Sequence, residues 1–190
     1  CGPSPAFAED ESALIYDTSA GAVMRVLKVT DPADLTFLRK TALPLNKDQL
    51  ASPEYALLCE RMLATVRDSI NDGVGIAAPQ VGVSRRLIAV QRFDKEGEPF
   101  ELYANPEIVS MIGPLVAGPE GCLSVPEEYG SVERSREILL RYIDPITFHT
   151  VEETVTGFTA VIFQHEADHL DGILFVDRKL NDSGDELKED

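Results

Sequence analysis

Residues 156–172 read TGFTAVIFQHEADHLDG, and what this stretch becomes decides the architecture around it. It reads as a helix over roughly Thr156 to Leu170, carrying His165 and His169 four residues apart with Glu166 between them. Histidines at that spacing stack on one helix face, about one turn apart, and can hold a single metal ion. The stretches before it are of another kind. RLIAVQRF (86–93), FELYANPEIV (100–109), ILLRYID (138–144) and ITFHTVEE (146–153) are short, apolar-rich and punctuated by Gly, Pro or Asp, which is the pattern of strands. Further upstream, SPEYALLCERMLATVRDSINDG (52–73) reads as another helix. Ser52 is its N-cap, Pro53 its first residue and Gly73 its end, with Leu58, Met62, Val66 and Ile70 as the buried stripe. Short, mainly antiparallel strands around one metal-binding helix, with a second helix before them, define an α+β fold.

At 190 residues the chain is long enough for one domain with a proper core. It has no apolar run of membrane-spanning length, and its formal charge of -16 argues against direct binding to nucleic-acid phosphates. Cys1, Cys59 and Cys122 are odd in number and irregular in spacing, so they do not form a disulfide framework, and Cys59 within the first helix reads as an inert buried thiol. Residues 1–22 and the acidic end, 181–190, are poor in large apolar groups and read as a loose extension and a disordered tail around a catalytic domain over 23–180. Cys1 reads either as a boundary left by trimming or as the lipid-bearing first residue of a mature lipoprotein, and membrane contact is expected only in the second case.

A His-Glu-x-x-His helix supplies two imidazole ligands and a carboxylate beside the metal's water, whose proton that carboxylate takes once the metal has made it acidic. A catalytic centre of this kind needs a third ligand. Six residues past the second histidine, where one protease class has another His, this chain has Phe175. Glu186 and Glu189 lie in the acidic tail. Cys122, in EGCLSVP (120–126), is the best remaining donor, because a thiol beside a divalent cation loses its proton and binds strongly. His149, next to Phe148 on a strand-like stretch, reads as structural or exposed.

Taken together, GVGIAAPQVG (73–82), EGCLSVP and QHEADHLDG (164–172) resemble, in order, the signature motifs of the peptide deformylases, and the similarity runs from about Met24 to Leu180. The resemblance implies a Cys122, His165 and His169 site for one divalent ion, Fe2+ natively, which Zn2+, Ni2+ or Co2+ can replace. It implies N-formyl-methionyl peptides or nascent chains as substrates, formate as a product and a cytoplasmic location. Glu166 matches the general base, while the Gln80 side-chain amide and the Leu123 backbone N–H match the oxyanion donors. Val74, Gly75, Ile76, Glu120 and Gly121, from the first two motifs, are expected to meet the substrate. Phe158, Val161 and Ile162 lie on roughly the ligand-bearing face of the helix and are expected to line the methionine pocket. Gly73 and Gly75 have room for a peptide backbone to pass close by, although a plain helix-ending turn explains them too.

Overall fold

The computed structural model describes residues 6–181. Its centre is a five-stranded antiparallel meander, β1 (Gly75–Ala77), β2 (Leu87–Gln91), β3 (Phe100–Cys122), β4 (Val125–Ile143) and β5 (Thr150–Thr156), each strand paired with its neighbour in sequence. Helix α5 (Gly157–Leu170) follows β5 directly and lies against β4, β2 and β1, while α4 (Pro53–Arg67) packs on the other side of β1 and β2. The α+β expectation holds.

The run LIAV in β2 shows why the strand is apolar throughout rather than alternating. Leu87 and Ala89 join the cluster of Leu58, Met62 and Val66 on α4, whereas Ile88 and Val90 join that of Ile162, Phe163 and Leu170 on α5. Successive side chains of a strand point to opposite faces, so a strand covered on both faces has no polar positions to spare.

Several boundaries differ from expectation. Helix α4 starts as read, with Pro53 first and the Ser52 hydroxyl accepting from the Tyr55 N–H, but it stops at Arg67 instead of reaching Gly73. Past its end, the Asp68 carboxylate takes the Ile70 N–H and the Asn71 amide donates to the Thr65 carbonyl, local bonds that compete with helix continuation. Ile70 is consequently 91% exposed, not part of the buried stripe, while Leu58, Met62 and Val66 are wholly buried. Strand β3 continues through Gly113-Pro114 to Cys122, absorbing those breakers as register shifts against β4. Residues 146–149 form a turn before β5, pinned by the Asp144 carboxylate on the Ile146 and Thr147 N–H groups, and His149 is exposed in it.

The stretch expected to be loose at the start is ordered over α1 (Glu9–Tyr16), and two short helices, α2 (Pro32–Leu38) and α3 (Lys47–Leu50), lie between it and α4 along the chain. Few as its apolar residues are, Phe7 and Ile15 are buried in the core shared with α4, Glu11 pairs with Arg85, and buried Arg61 of α4 donates to the Leu14 and Ile15 carbonyls. Cys1 and nearly all of the acidic tail lie outside the described residues. Among the described residues no helix is long and apolar enough to cross a membrane.

Candidate active site

Three stretches far apart in sequence meet beneath a cavity of about 490 Å³. Helix α5 contributes His165, Glu166 and His169; the end of β3 contributes Cys122; and the 3-10 turn after β1 (Ala78–Val81) contributes Gln80. The Cys122 sulfur and one ring nitrogen from each histidine all lie within 4.8 Å of one another, with His169 Nε2 3.3 Å from Cys122 Sγ. The Gln80 side chain is fixed at both ends: its Oε1 accepts from the Ala77 N–H at 2.9 Å, and its Nε2 lies 3.1 Å from Ser124 Oγ and 3.6 Å from Cys122 Sγ. Leu123 and Ser124 make the tight turn joining β3 to β4.

Helix α5 is held in register by polar side chains facing the sheet. Gln164 accepts from the Ser135 N–H and donates to the Ser135 carbonyl, acting as a substitute strand neighbour where β4 is irregular. One turn on, Asp168 accepts from buried Arg134 at 2.6 Å. Residues 165 and 169 each follow one of these anchors, so both imidazoles inherit a fixed rotation about the helix axis.

The surroundings drive the two imidazoles apart in basicity. Burial alone would depress His165, yet its contacts with Cys122 and Glu120 raise it to about 10. His169 is pushed well below the ordinary imidazole range by burial, then by His165 and Arg134, which keeps it neutral, the form that ligates metals. Glu120 accepts the His165 Nδ1 bond at 2.7 Å, leaving Nε2 to face the other donors. Despite burial, its bonds to His165 and Arg134 lower the Glu120 carboxyl to about 2. A soft thiolate with two imidazoles suits Zn2+, Fe2+, Co2+ or Ni2+, so the donor set fits a divalent transition metal. Glu166 is 4% exposed, burial is the first cause that raises it to about 7, and its Oε2 is buried with no partner among the described residues. A carboxylate poised near neutrality is suited to taking and returning a proton.

Most of the other expected residues line the cavity: Val74, Gly75, Gly121, Phe158, Val161 and Ile162. Two departures stand out. Ile76 does not line it; its side chain is wholly buried in the core beside α4, because β1 is covered on both faces. Glu120 borders the cavity, but its carboxylate is spent on His165 and Arg134. Gly75 is needed for a reason the sequence did not disclose: a Cβ there would lie 2.6 Å from Glu166 Oε1 and 2.9 Å from Ile162 Cγ2. Arg134, Asp168 and Gln164 were also missed. Asp168 and Gln164 sit inside the histidine motif, but nothing in the motif says what they face.

An α+β scaffold holding a Cys-His-His cluster beside a buried carboxylate defines a candidate mononuclear metallohydrolase. The family profile described as Polypeptide deformylase matches residues 23–184. Peptide deformylases of Caulobacter vibrioides and Desulforudis audaxviator are 41% and 43% identical to this chain, over 82% and 83% of its length and 87% and 94% of theirs. Among solved structures, the actinonin-bound class I type b peptide deformylase of Acinetobacter baumannii superposes with a TM-score of 0.72 at 39% identity, covering 83% of this chain and 99% of that one. The same enzyme bound to Met-Ala-Ser gives 0.72 at 38% identity, covering 82% and 98%. The chain belongs to the peptide deformylase family of hydrolases.

Proposed function

We propose that this protein hydrolyses the formyl group from N-formyl-methionyl peptides, releasing formate and a free amino terminus, with one divalent ion held by Cys122, His165 and His169. The observation that carries the reading is the Glu166 carboxylate, buried at the cavity, poised near neutrality and with Oε2 unpartnered among the described residues, on the same helix as both imidazoles. The ion, Fe2+ natively and replaceable by Zn2+, Ni2+ or Co2+, supplies Lewis-acid activation of water and of the formyl carbonyl. Glu166 takes the proton of the attacking water on Oε2 and returns it to the departing nitrogen as the carbon–nitrogen bond breaks. The Gln80 Nε2 amide and the Leu123 N–H face the negative charge that develops on the formyl oxygen, and removing one such donor typically costs about 10²–10³ in rate. Gln80 is suited to this task because its other end is tied to Ala77, so the donor is oriented before substrate arrives.

Val161 and Ile162, four and three residues before His165 and so about one turn away, form the apolar floor for the methionine side chain, with half-exposed Phe158 at the rim. Val74, Gly75 and Gly121 offer backbone to the peptide at the cavity edge. Formylated chains arise where translation begins, so the cytoplasm is the compartment this activity requires. With a net charge of -16, binding is to the peptide and not to nucleic acid.

The test is formate release from formyl-Met-Ala-Ser by protein purified without oxygen and loaded with Fe2+ or Ni2+, beside acetyl-Met-Ala-Ser and a Glu166→Ala control. The parent is expected to release formate rapidly, to spare the acetyl peptide, and to lose activity by at least about 10²-fold in the control. A metal-loaded parent that leaves the formyl peptide intact would refute the reading.

A further inference from the structure

Behind His165 runs a row of alternating charges that links the site to the segment following α5. Glu120 on β3 accepts from His165 Nδ1 and takes two bonds from Arg134 of β4, at 2.9 and 3.0 Å. Arg134 also donates to Asp168 Oδ2, and Asp168 takes two further bonds from Arg178, Nε at 2.6 Å and Nη2 at 2.8 Å. Arg178 comes from the segment just past the 3-10 turn Phe175–Asp177, which is fixed in place by the Leu180 N–H on the Ser131 carbonyl and by Arg39 on Asp177. The Glu120, Arg134 and Asp168 side chains are 6%, 5% and 12% exposed, whereas Arg178 is 45% exposed.

Two carboxylates and two guanidiniums balance one another in this row. Asp168 shares one oxygen between both cations, so removing Arg178 leaves its full charge to Arg134. Arg134 is then drawn toward Asp168 and away from Glu120. A Glu120 carboxylate held less firmly no longer fixes the ring orientation and tautomer of His165. We propose that Arg178 is a positioning residue for the metal centre, acting through Asp168, Arg134 and Glu120 on His165, so that retention of the ion depends on how the segment after α5 is docked. This rests on the Cys122, His165 and His169 reading of the metal site.

The experiment uses the full chain loaded with Co2+, whose thiolate absorption band reports an ion bound to Cys122, and follows loss of that band after adding a chelator well below the melting temperature. Because Arg178 is at the surface, Arg178→Ala is expected to fold. Its expected effect is about tenfold faster loss of Co2+, the lower end of what outer partners of metal ligands contribute. KM for formyl-Met-Ala-Ser is expected to stay within about twofold, since Arg178 is remote from the peptide. Arg178→Lys restores the charge but not the two-pronged bond, and is expected to recover part of the difference. Loss of Co2+ at the parental rate from Arg178→Ala would overturn the proposal, as would a faster loss that Arg178→Lys leaves unrepaired. A parent that never develops the thiolate band would remove the metal-site reading, and this inference with it.

Discussion

Substituting Gly75 by alanine tests the placement of the general base without touching its chemistry. The new methyl would sit 2.6 Å from Glu166 Oε1, whereas ordinary contact begins near 3.4 Å, so the carboxylate must retreat by roughly 0.8 Å or the strand must yield. The strand has little freedom, being paired with β2 at Gly75–Val90, and Ile162 Cγ2 at 2.9 Å blocks the other direction. A displacement approaching 1 Å in a reacting group costs about 10²-fold in rate, or roughly 2.7 kcal/mol of transition-state stabilisation. The loss should fall on kcat, with the bound metal unchanged, because the ligand atoms lie on other residues. Overpacking should also lower stability by about 1–3 kcal/mol, read from urea unfolding. Gly73→Ala is the comparison: its methyl would meet Val66 and Leu123 side chains at 3.0 and 3.1 Å and leave Glu166 alone, so kcat should fall far less. If Gly75→Ala turns over formyl-Met-Ala-Ser within threefold of the parent, the carboxylate's position is not what limits the proton transfer.

Further perturbations address the scaffold. Glu11→Ala leaves the half-buried Arg85 guanidinium without its carboxylate partner and should destabilise the chain by about 2 kcal/mol, between the values for exposed and buried pairs; no change in the denaturation midpoint would mean that this ion pair contributes nothing. Leu58→Ala should cost about 2–5 kcal/mol and Ile70→Ala under about 0.5, and equal losses in thermal melts would contradict the helix end at Arg67. Bonds from Arg25 hold the Asp34 carboxyl below its ordinary range, so its contribution is present above about pH 4 and is lost as pH falls through the lowered folded value. The stability gap between the parent and Asp34→Asn, about 1 kcal/mol with Arg25 largely exposed, should therefore be constant near neutrality and close in acid; a gap that widens on acidification would reverse the argument.

The chemistry of the site was more legible in the sequence than the scaffold that holds it. His165, Glu166 and His169 are spaced by one helical period, which a sequence displays directly, and Cys122 followed from the need for one more soft donor. Gln80 came from the resemblance alone. RLIAVQRF reads as a strand, but nothing in the run says that α4 and α5, far away in sequence, cover its two faces. The end of α4 depended on side-chain bonds from Asp68 and Asn71 that compete with a strong periodic pattern. Strand β3 outruns the stretch read as a strand, 100–109, because a register shift that keeps a strand paired past Gly113-Pro114 leaves no local mark. Assigning Ile76 to the substrate failed because adjacency to a motif fixes where a backbone passes, not which way a side chain turns. The partners of Arg134 and Gly75 are set by tertiary approach, 34 residues away in the case of Asp168.

The meander order of the sheet also bears on how the molecule forms. Every strand pairs with the next one along the chain, so β2 through β5 can zip from successive hairpins with little loop-closure entropy to overcome at each step. Helix α5 comes last and must cross back to β1 and β2, and only this docking brings His165 and His169 to Cys122. The donor cluster is therefore a product of this long-range docking, absent from any state in which the hairpins have formed alone. A ligand that grips all three donors acts on that step: it slows undocking of α5 and leaves the hairpins' own rate of formation untouched.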